Sequence, residues 1–154
     1  MRRKGQAAME FLMTYGWAIL AAVIVIAVLA SFGVFSPDKY IPTSCVIEAP
    51  WGCDQNQVAV TAGAAGVVDI VVLNGGGQTY ESVTIELTGE CSTAAAVQVG
   101  TGTVADGESN QVTITCQEAL TAGDKIKSDV VINYMPSGGS LSMTASGDFT
   151  AEAK

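Results

Sequence analysis

Histidine is absent from this chain, and arginine does not recur after Arg3. The first absence removes the side chain that most often moves protons near neutral pH. The second leaves the body of the chain without the planar fork that grips phosphate. Fifteen acids stand against seven cations, a formal net charge of −8, so nucleic acid is not an expected partner. There is no C-x-x-C pair, which with no histidine argues against a structural zinc site. The stretch LNGGGQTYES has glycines but no GK[ST], and reads as a turn rather than a phosphate-binding loop. ADGESN at 105–110 lacks the alternating acids of a calcium loop and reads as a solvated turn. Asn56, Asn74, Asn110 and Asn133 all lack Ser or Thr two positions on, so ordinary N-glycosylation is not expected. No serine or aspartate has a recognisable catalytic partner in the sequence. The expectation is a protein without enzymatic activity, cofactor or metal.

Charge is scarce as well, and its placement is uneven. From Phe11 through Phe35, 25 positions, no residue is charged. A helix of that length crosses roughly 30 Å of hydrocarbon with some tilt. Arg2, Arg3 and Lys4 precede the run, and only Lys39, Lys125, Lys127 and Lys154 follow it. That asymmetry predicts a cytoplasmic start and an external body. The run has no polar stripe, so its helix needs lipid or other helices around it. Ala18, Ala21, Ala22, Ala27 and Ala30 keep its surface small enough for close helix contacts. Gly16 permits local bending, and Tyr15 and Trp17 suit an interfacial position.

The remaining 119 residues, 36–154, are rich in Gly, Thr, Ser and Val, a strand-and-turn composition. Ser36-Pro37 is the expected helix stop, because proline disfavours helical geometry in the residue before it. Pro42 and Pro50 predict an irregular stretch after that. Val67–Leu73 is a nearly continuous apolar strand, ended by Asn74-Gly75-Gly76-Gly77. Val83, Ile85 and Leu87 alternate with polar residues, as do Val112, Ile114 and Cys116. Ile126, Val130, Ile132 and Tyr134 form another inward row, and Leu141, Met143 and Ala145 a further one. About seven strands separated by glycine-rich turns predict a small β-sandwich, for which an Ig-like arrangement is one candidate. The fold class is then α+β, a long apolar helix followed by an all-β head. Four cysteines, Cys45, Cys53, Cys91 and Cys116, all fall in the external part, where an even count reads as two disulfides. Cys45 and Cys53 bracket a short loop, and pairing there would pin it. Cys91 and Cys116 both extend inward-facing rows, which favours a second bridge between them.

Three readings compete for the N-terminus. A secretory signal peptide would be cut after Val28-Leu29-Ala30, but the apolar stretch exceeds the roughly 7–15 residues of a typical signal core. A plain uncleaved anchor fits the length and the charge asymmetry, yet gives no reason for Gly5-Gln6 or Glu10. The third reading accounts for both. MRRKGQAAMEFLMTYGWAIL resembles the N-terminus of archaeal type IV-like pilins, which carry a short basic class III signal peptide. The resemblance implies cleavage by a prepilin peptidase between Gly5 and Gln6, on the cytoplasmic side of the helix. The loss of 1–5 would take the formal charge to −11, four cations against the same fifteen acids. It also implies that Glu10, now fifth in the chain, pairs during assembly with the new α-amine of Gln6 on a neighbouring copy. The domain organisation implied is 1–5 cleaved leader, 6–35 membrane and filament-core helix, 36–154 external head. The expected partners are other copies of the chain, the prepilin peptidase, a pilus assembly platform, and the membrane before assembly. The expected location is the membrane, then a cell-surface filament with a role in adhesion. The alternative is a monomeric, membrane-anchored, extracellular β-sandwich that binds a partner.

Overall fold

The computed structural model describes residues 3–35 and 42–154. The chain divides into two compact units, one holding the helix and the other, from residue 41 on, the β head.

Helix α1 spans Arg3–Ser31. It is rich in Ala, Leu, Met, Ile and Val, with no proline and only two glycines, Gly5 and Gly16, which suits a helix despite the β-branched residues. The part from Met13 to Ser31 has a mean hydropathy of 2.3 and is long enough by itself to cross a bilayer. The helix stops earlier than the sequence led us to expect. Gly33 takes a left-handed φ of 72°. Its N–H then donates to the carbonyl of Ala30 at 3.0 Å, while the N–H of Val34 donates to Leu29 at 3.2 Å. These are the two bonds of a Schellman stop, in which glycine accepts a conformation that other residues resist. The expected stop at Ser36-Pro37 lies outside the described residues, and α1 has already ended before it.

The head is a β-sandwich. Its nine described strands are β1 Ser44–Ile47, β2 Trp51–Cys53, β3 Ala59–Thr61, β4 Val67–Asn74, β5 Tyr80–Gly89, β6 Val97–Gln98, β7 Ser109–Thr115, β8 Lys125–Pro136 and β9 Met143–Glu152. One sheet has the order β1-β9-β8-β5-β6. In the other, β4 is central: β7 pairs along one side, and β2 and β3 follow one another along the opposite side. A 3-10 turn, Gln55–Gln57, separates those two short strands. If β2 and β3 count as one interrupted strand, the neighbours match A-B-E in one layer and C-F-G in the other, an Ig-like order. β6 and β1 extend the larger sheet at its two edges.

The inward rows predicted from alternation fill the space between the sheets. Val68 faces Ile114 and Ile70 faces Val112 across β4–β7. Ile85 faces Ile132 and Leu87 faces Val130 across β5–β8. Val68, Ile70, Ile85, Ile114, Val130 and Ile132, together with Phe149 on β9, are fully buried. Burying one such aliphatic side chain contributes about 1.5–3 kcal/mol.

Several sequence expectations need correction. The stretch around Pro50 is not irregular: β1 and β2 flank a cis Ala49–Pro50 bond, and the Trp51 N–H donates to Glu48 at 3.1 Å. Leu141 is 78% exposed and precedes β9, and Met143 at its first position is 49% exposed, so the inward row starts only at Ala145. The strand count exceeds seven because β2, β3 and β6 are too short to show a period.

Asn74, fully buried at the end of β4, holds the surrounding loops together. Its Nδ2 donates to the carbonyls of Gln78 (2.8 Å), Val104 (3.0 Å) and Ala105 (3.1 Å), while its Oδ1 accepts from Gly76 N–H at 2.9 Å. Two hydrogens serve three carbonyls, so one bond is shared. Beside it Trp51, Tyr80 and Tyr134 pack with ring centroids 4.8–5.5 Å apart, two of the three pairs edge-on. Replacing Asn74 by alanine leaves these backbone groups without their buried partner, and we expect a loss of about 3 kcal/mol. Urea unfolding checks this; a loss below about 1 kcal/mol would contradict the role given to Asn74.

Candidate functional site

The residues singled out from sequence fall in two places. Gly5, Gln6 and Glu10 belong to the first turns of α1, and the four cysteines belong to the head.

Glu10 is exposed and has no ion pair among the described residues. The Thr14 hydroxyl, one turn on, donates to the Glu10 backbone carbonyl at 2.8 Å, a bond that does not involve the carboxylate. Phe11 and Tyr15 stack at a centroid distance of 4.8 Å, an i,i+4 contact that fixes both rings on one side of the helix. Farther along, Trp17, Leu20, Val23, Ile24, Val25 and Ile26 are all more than half exposed. Successive residues on a helix point about 100° apart, so this exposure covers every side of it. The described part of α1 therefore presents apolar surface all round, with one acid near its start.

The cysteines pair as Cys45–Cys53 and Cys91–Cys116, with Cα–Cα distances of 5.8 and 5.0 Å. Their placement says more than their pairing. Cys45 lies on β1 in the larger sheet and Cys53 on β2 in the smaller. Cys91 follows β5 of the larger sheet, and Cys116 follows β7 of the smaller. Both bridges thus run from one layer of the sandwich to the other. The Ser128 hydroxyl accepts from the Cys91 N–H at 2.8 Å, and the Gln117 N–H donates to Ser92 at 3.0 Å, so the second bridge is braced on both flanks.

Charged groups are dispersed. The single ion pair among the described residues, Lys125–Glu152 at 3.3 Å, is partly exposed and is worth at most about 1 kcal/mol. Asp129 and Asp148 stand opposite each other on β8 and β9, with Glu48 nearby on an acidic outer face. Three other carboxylates are held below their usual range by hydrogen bonds. The Gln57 side chain and then the Asn56 N–H act on Asp54, the Ala105 N–H and then the Asn110 side chain on Glu108, and the Ser92 N–H and hydroxyl on Glu118. Burial, and after it Tyr80, pushes the Tyr134 phenol up. Among the described residues no group of three or more His, Cys, Asp or Glu is arranged to hold a metal.

Alternation in the sequence places Cys91 and Cys116 on inward rows, and Cys45 and Cys53 read as bracketing a loop. It did not show that both bridges cross between layers, since that depends on which strands share a sheet. The Asn74 hub and the Trp51–Tyr80–Tyr134 cluster were also missed. Asparagine before three glycines looks like ordinary turn chemistry, and the aromatics are far apart in the chain. No family model matches the chain, and no match is found among curated proteins.

Two outcomes are expected. On chain-entropy accounting, removing Cys45–Cys53 costs about 2.5 kcal/mol and removing Cys91–Cys116 about 3.5, because the second closes the longer loop. Urea unfolding of the two Cys→Ser double variants should reproduce that order. The three depressed carboxylates stabilise the fold fully above the ordinary carboxylate range and lose that contribution as pH falls through their lowered native values. The thermal midpoint should therefore decline on the acid side, below about pH 4. Glu118→Gln should flatten that decline, and a variant with an unchanged acid limb would exclude Glu118 from it.

Proposed function

We propose that this chain is a structural subunit of an archaeal type IV-like pilus, one that polymerises through α1 after a prepilin peptidase cuts between Gly5 and Gln6. One feature carries the reading. An uncharged helix with apolar side chains on every side, Met13–Ser31, follows a basic Arg-Arg-Lys-Gly-Gln junction with a single acid at position 10. Such a helix is stable only in lipid or among other helices. A pilin uses both settings in turn, lipid before assembly and sister helices afterwards.

Each residue at the junction then has a task. Gly5 lacks a side chain and leaves room for the peptidase's carboxylates at the scissile bond, and Ala7 and Ala8 keep its far side small. The cations at 2–4 hold the junction on the cytoplasmic face and are discarded with the leader. Cleavage creates an α-amine on Gln6 whose ordinary pKa is about 7.7–8.0, so it is mostly cationic near neutral pH. In a stack of helices the Glu10 carboxylate of one subunit neutralises the Gln6 amine of the next. A buried charge without its partner costs about 3–5 kcal/mol, which favours subunits in register over those out of it. The head, joined to α1 through residues 36–41, forms the outer surface of the filament and carries adhesion. Disulfide bracing suits this extracellular setting.

Electron microscopy of surface fibres, with N-terminal sequencing and intact mass of their protein, tests the proposal. We expect fibres whose subunit begins at Gln6. A solitary chain still beginning at Met1 would instead mark a membrane-tethered binding module, and a start at Ser31 would mark conventional secretion. Glu10→Gln should be cleaved normally while fibre yield falls at least about tenfold, given the pairing energy above. Normal fibres from that variant would refute the pairing of Glu10 with the amine.

A further inference from the structure

A β-sandwich ends in edges, and an unpaired edge is a template for another strand. The edges of this head differ in how they are protected. β1 has four residues, and the Gln55 side chain donates to the Cys45 carbonyl at 3.5 Å. β6 has only two residues. The edge made by β2 and β3 is interrupted by the 3-10 turn. β7 is the exception. Its seven residues, SNQVTIT, run without charge, proline, glycine or bulge, and β4 covers one side only.

The direction of its backbone groups follows from the bonds that bracket the ladder. The Asn74 N–H donates to Glu108 at 3.0 Å, and the Cys116 N–H donates to Gly66 at 2.7 Å. Hydrogen-bonded pairs alternate in an antiparallel ladder. Asn110, Val112 and Ile114 therefore turn their N–H and C=O groups toward β4, while Ser109, Gln111, Thr113 and Thr115 turn theirs outward. Those outward groups have no backbone partner among the described residues. The side chains of the same four residues are exposed.

We propose that this edge is a self-pairing surface, on which β7 of a second copy adds antiparallel about a two-fold axis through Val112. In that register Gln111 stands opposite Thr113 and Ser109 opposite Thr115, and every outward N–H meets an outward C=O. On the solvent side Ser109 meets Thr115, a hydroxyl pair that favours cross-strand pairing, and Gln111 meets Thr113, whose hydroxyl donates to Asp69. The parity of the strand is kept, so Val112 and Ile114 stay on the core side. No acid faces an acid, since Glu108 falls opposite Cys116 of the other copy. A partner rich in Lys or Arg would find no counter-charge on β7, and the absence of charge matches the strand best to itself. The contact is isologous and closes on two copies. It does not rest on the filament reading; if the chain does polymerise, it ties one filament to another instead of lengthening either.

The full chain, one copy per lipid nanodisc, permits a test in which helices of different copies cannot meet. We expect sedimentation to show discs pairing through their heads as concentration rises. Hydrogen exchange should show the Gln111 and Thr113 amides gaining protection in step. Gln111→Pro removes only an outward donor, a position where an edge strand tolerates proline. It should abolish pairing and Thr113 protection, while the Val112 and Ile114 amides remain protected by β4. Should that variant misfold, Thr113→Lys, which puts a cation on the edge beside Asp69, serves in its place and should also abolish pairing. Discs that stay solitary at every concentration, with Gln111 and Thr113 exchanging as free amides, would overturn the proposal. So would pairing that survives the edge substitution in a folded head.

Discussion

A helix with no polar side must be kept from water along its whole length, and this requirement shapes the rest of the molecule. Met13–Ser31 satisfies its own backbone bonds but none of the demands of its side chains. Lipid and other helices are the surroundings that suit such a surface. The stop after Ser31 suits that surface: a Schellman turn at Gly33, with the Ser31 hydroxyl donating to the Val28 carbonyl, ends the helix without adding a charge to its apolar end.

The head follows a different logic. Its core is ordinary in kind, rows of Val and Ile between two sheets, but neither sheet is large and one is only three strands wide. Two cross-layer disulfides compensate for that modest size. Each joins a strand or strand end of the larger sheet to one of the smaller, so the layers cannot separate without breaking a covalent bond. The Asn74 network does similar work by hydrogen bonds where the loops gather.

Much of this is legible in the sequence. Alternation marks β5, β7 and β8, because long strands with one buried face impose period two on their residues, while β4 stands out as a nearly continuous apolar run. The helix was plain from the absence of charge. The inward parity of Cys91 and Cys116 followed from the rows they extend. What stayed hidden depends on partners distant in sequence. β1 and β2 are short, flank a proline, and exist because β9 and β4 supply their hydrogen bonds. Leu141 looked like core and is solvent-exposed, since hydrophobicity alone does not say where a strand begins. The helix end was misplaced by attention to Pro37, when Gly33 already supplied the stop. The proposed cut between Gly5 and Gln6 rests on resemblance alone, for neither burial nor hydrogen bonding marks a peptide bond for cutting.

One pairing bears on the order in which the head is made. β1, the first strand to emerge, lies at the edge of its sheet against β9, the last. Ala62 donates to the carbonyl of Lys154, and the Lys154 N–H donates in turn to Val60, so the final residue is also tied to the small sheet. Contacts this remote in sequence make closure slow compared with a helical bundle. The five-stranded sheet is thus a clasp that joins the first and last strands of the head, and it shuts only when both have been made. Of the two bridges, Cys45–Cys53 is the one that needs no residue beyond Cys53.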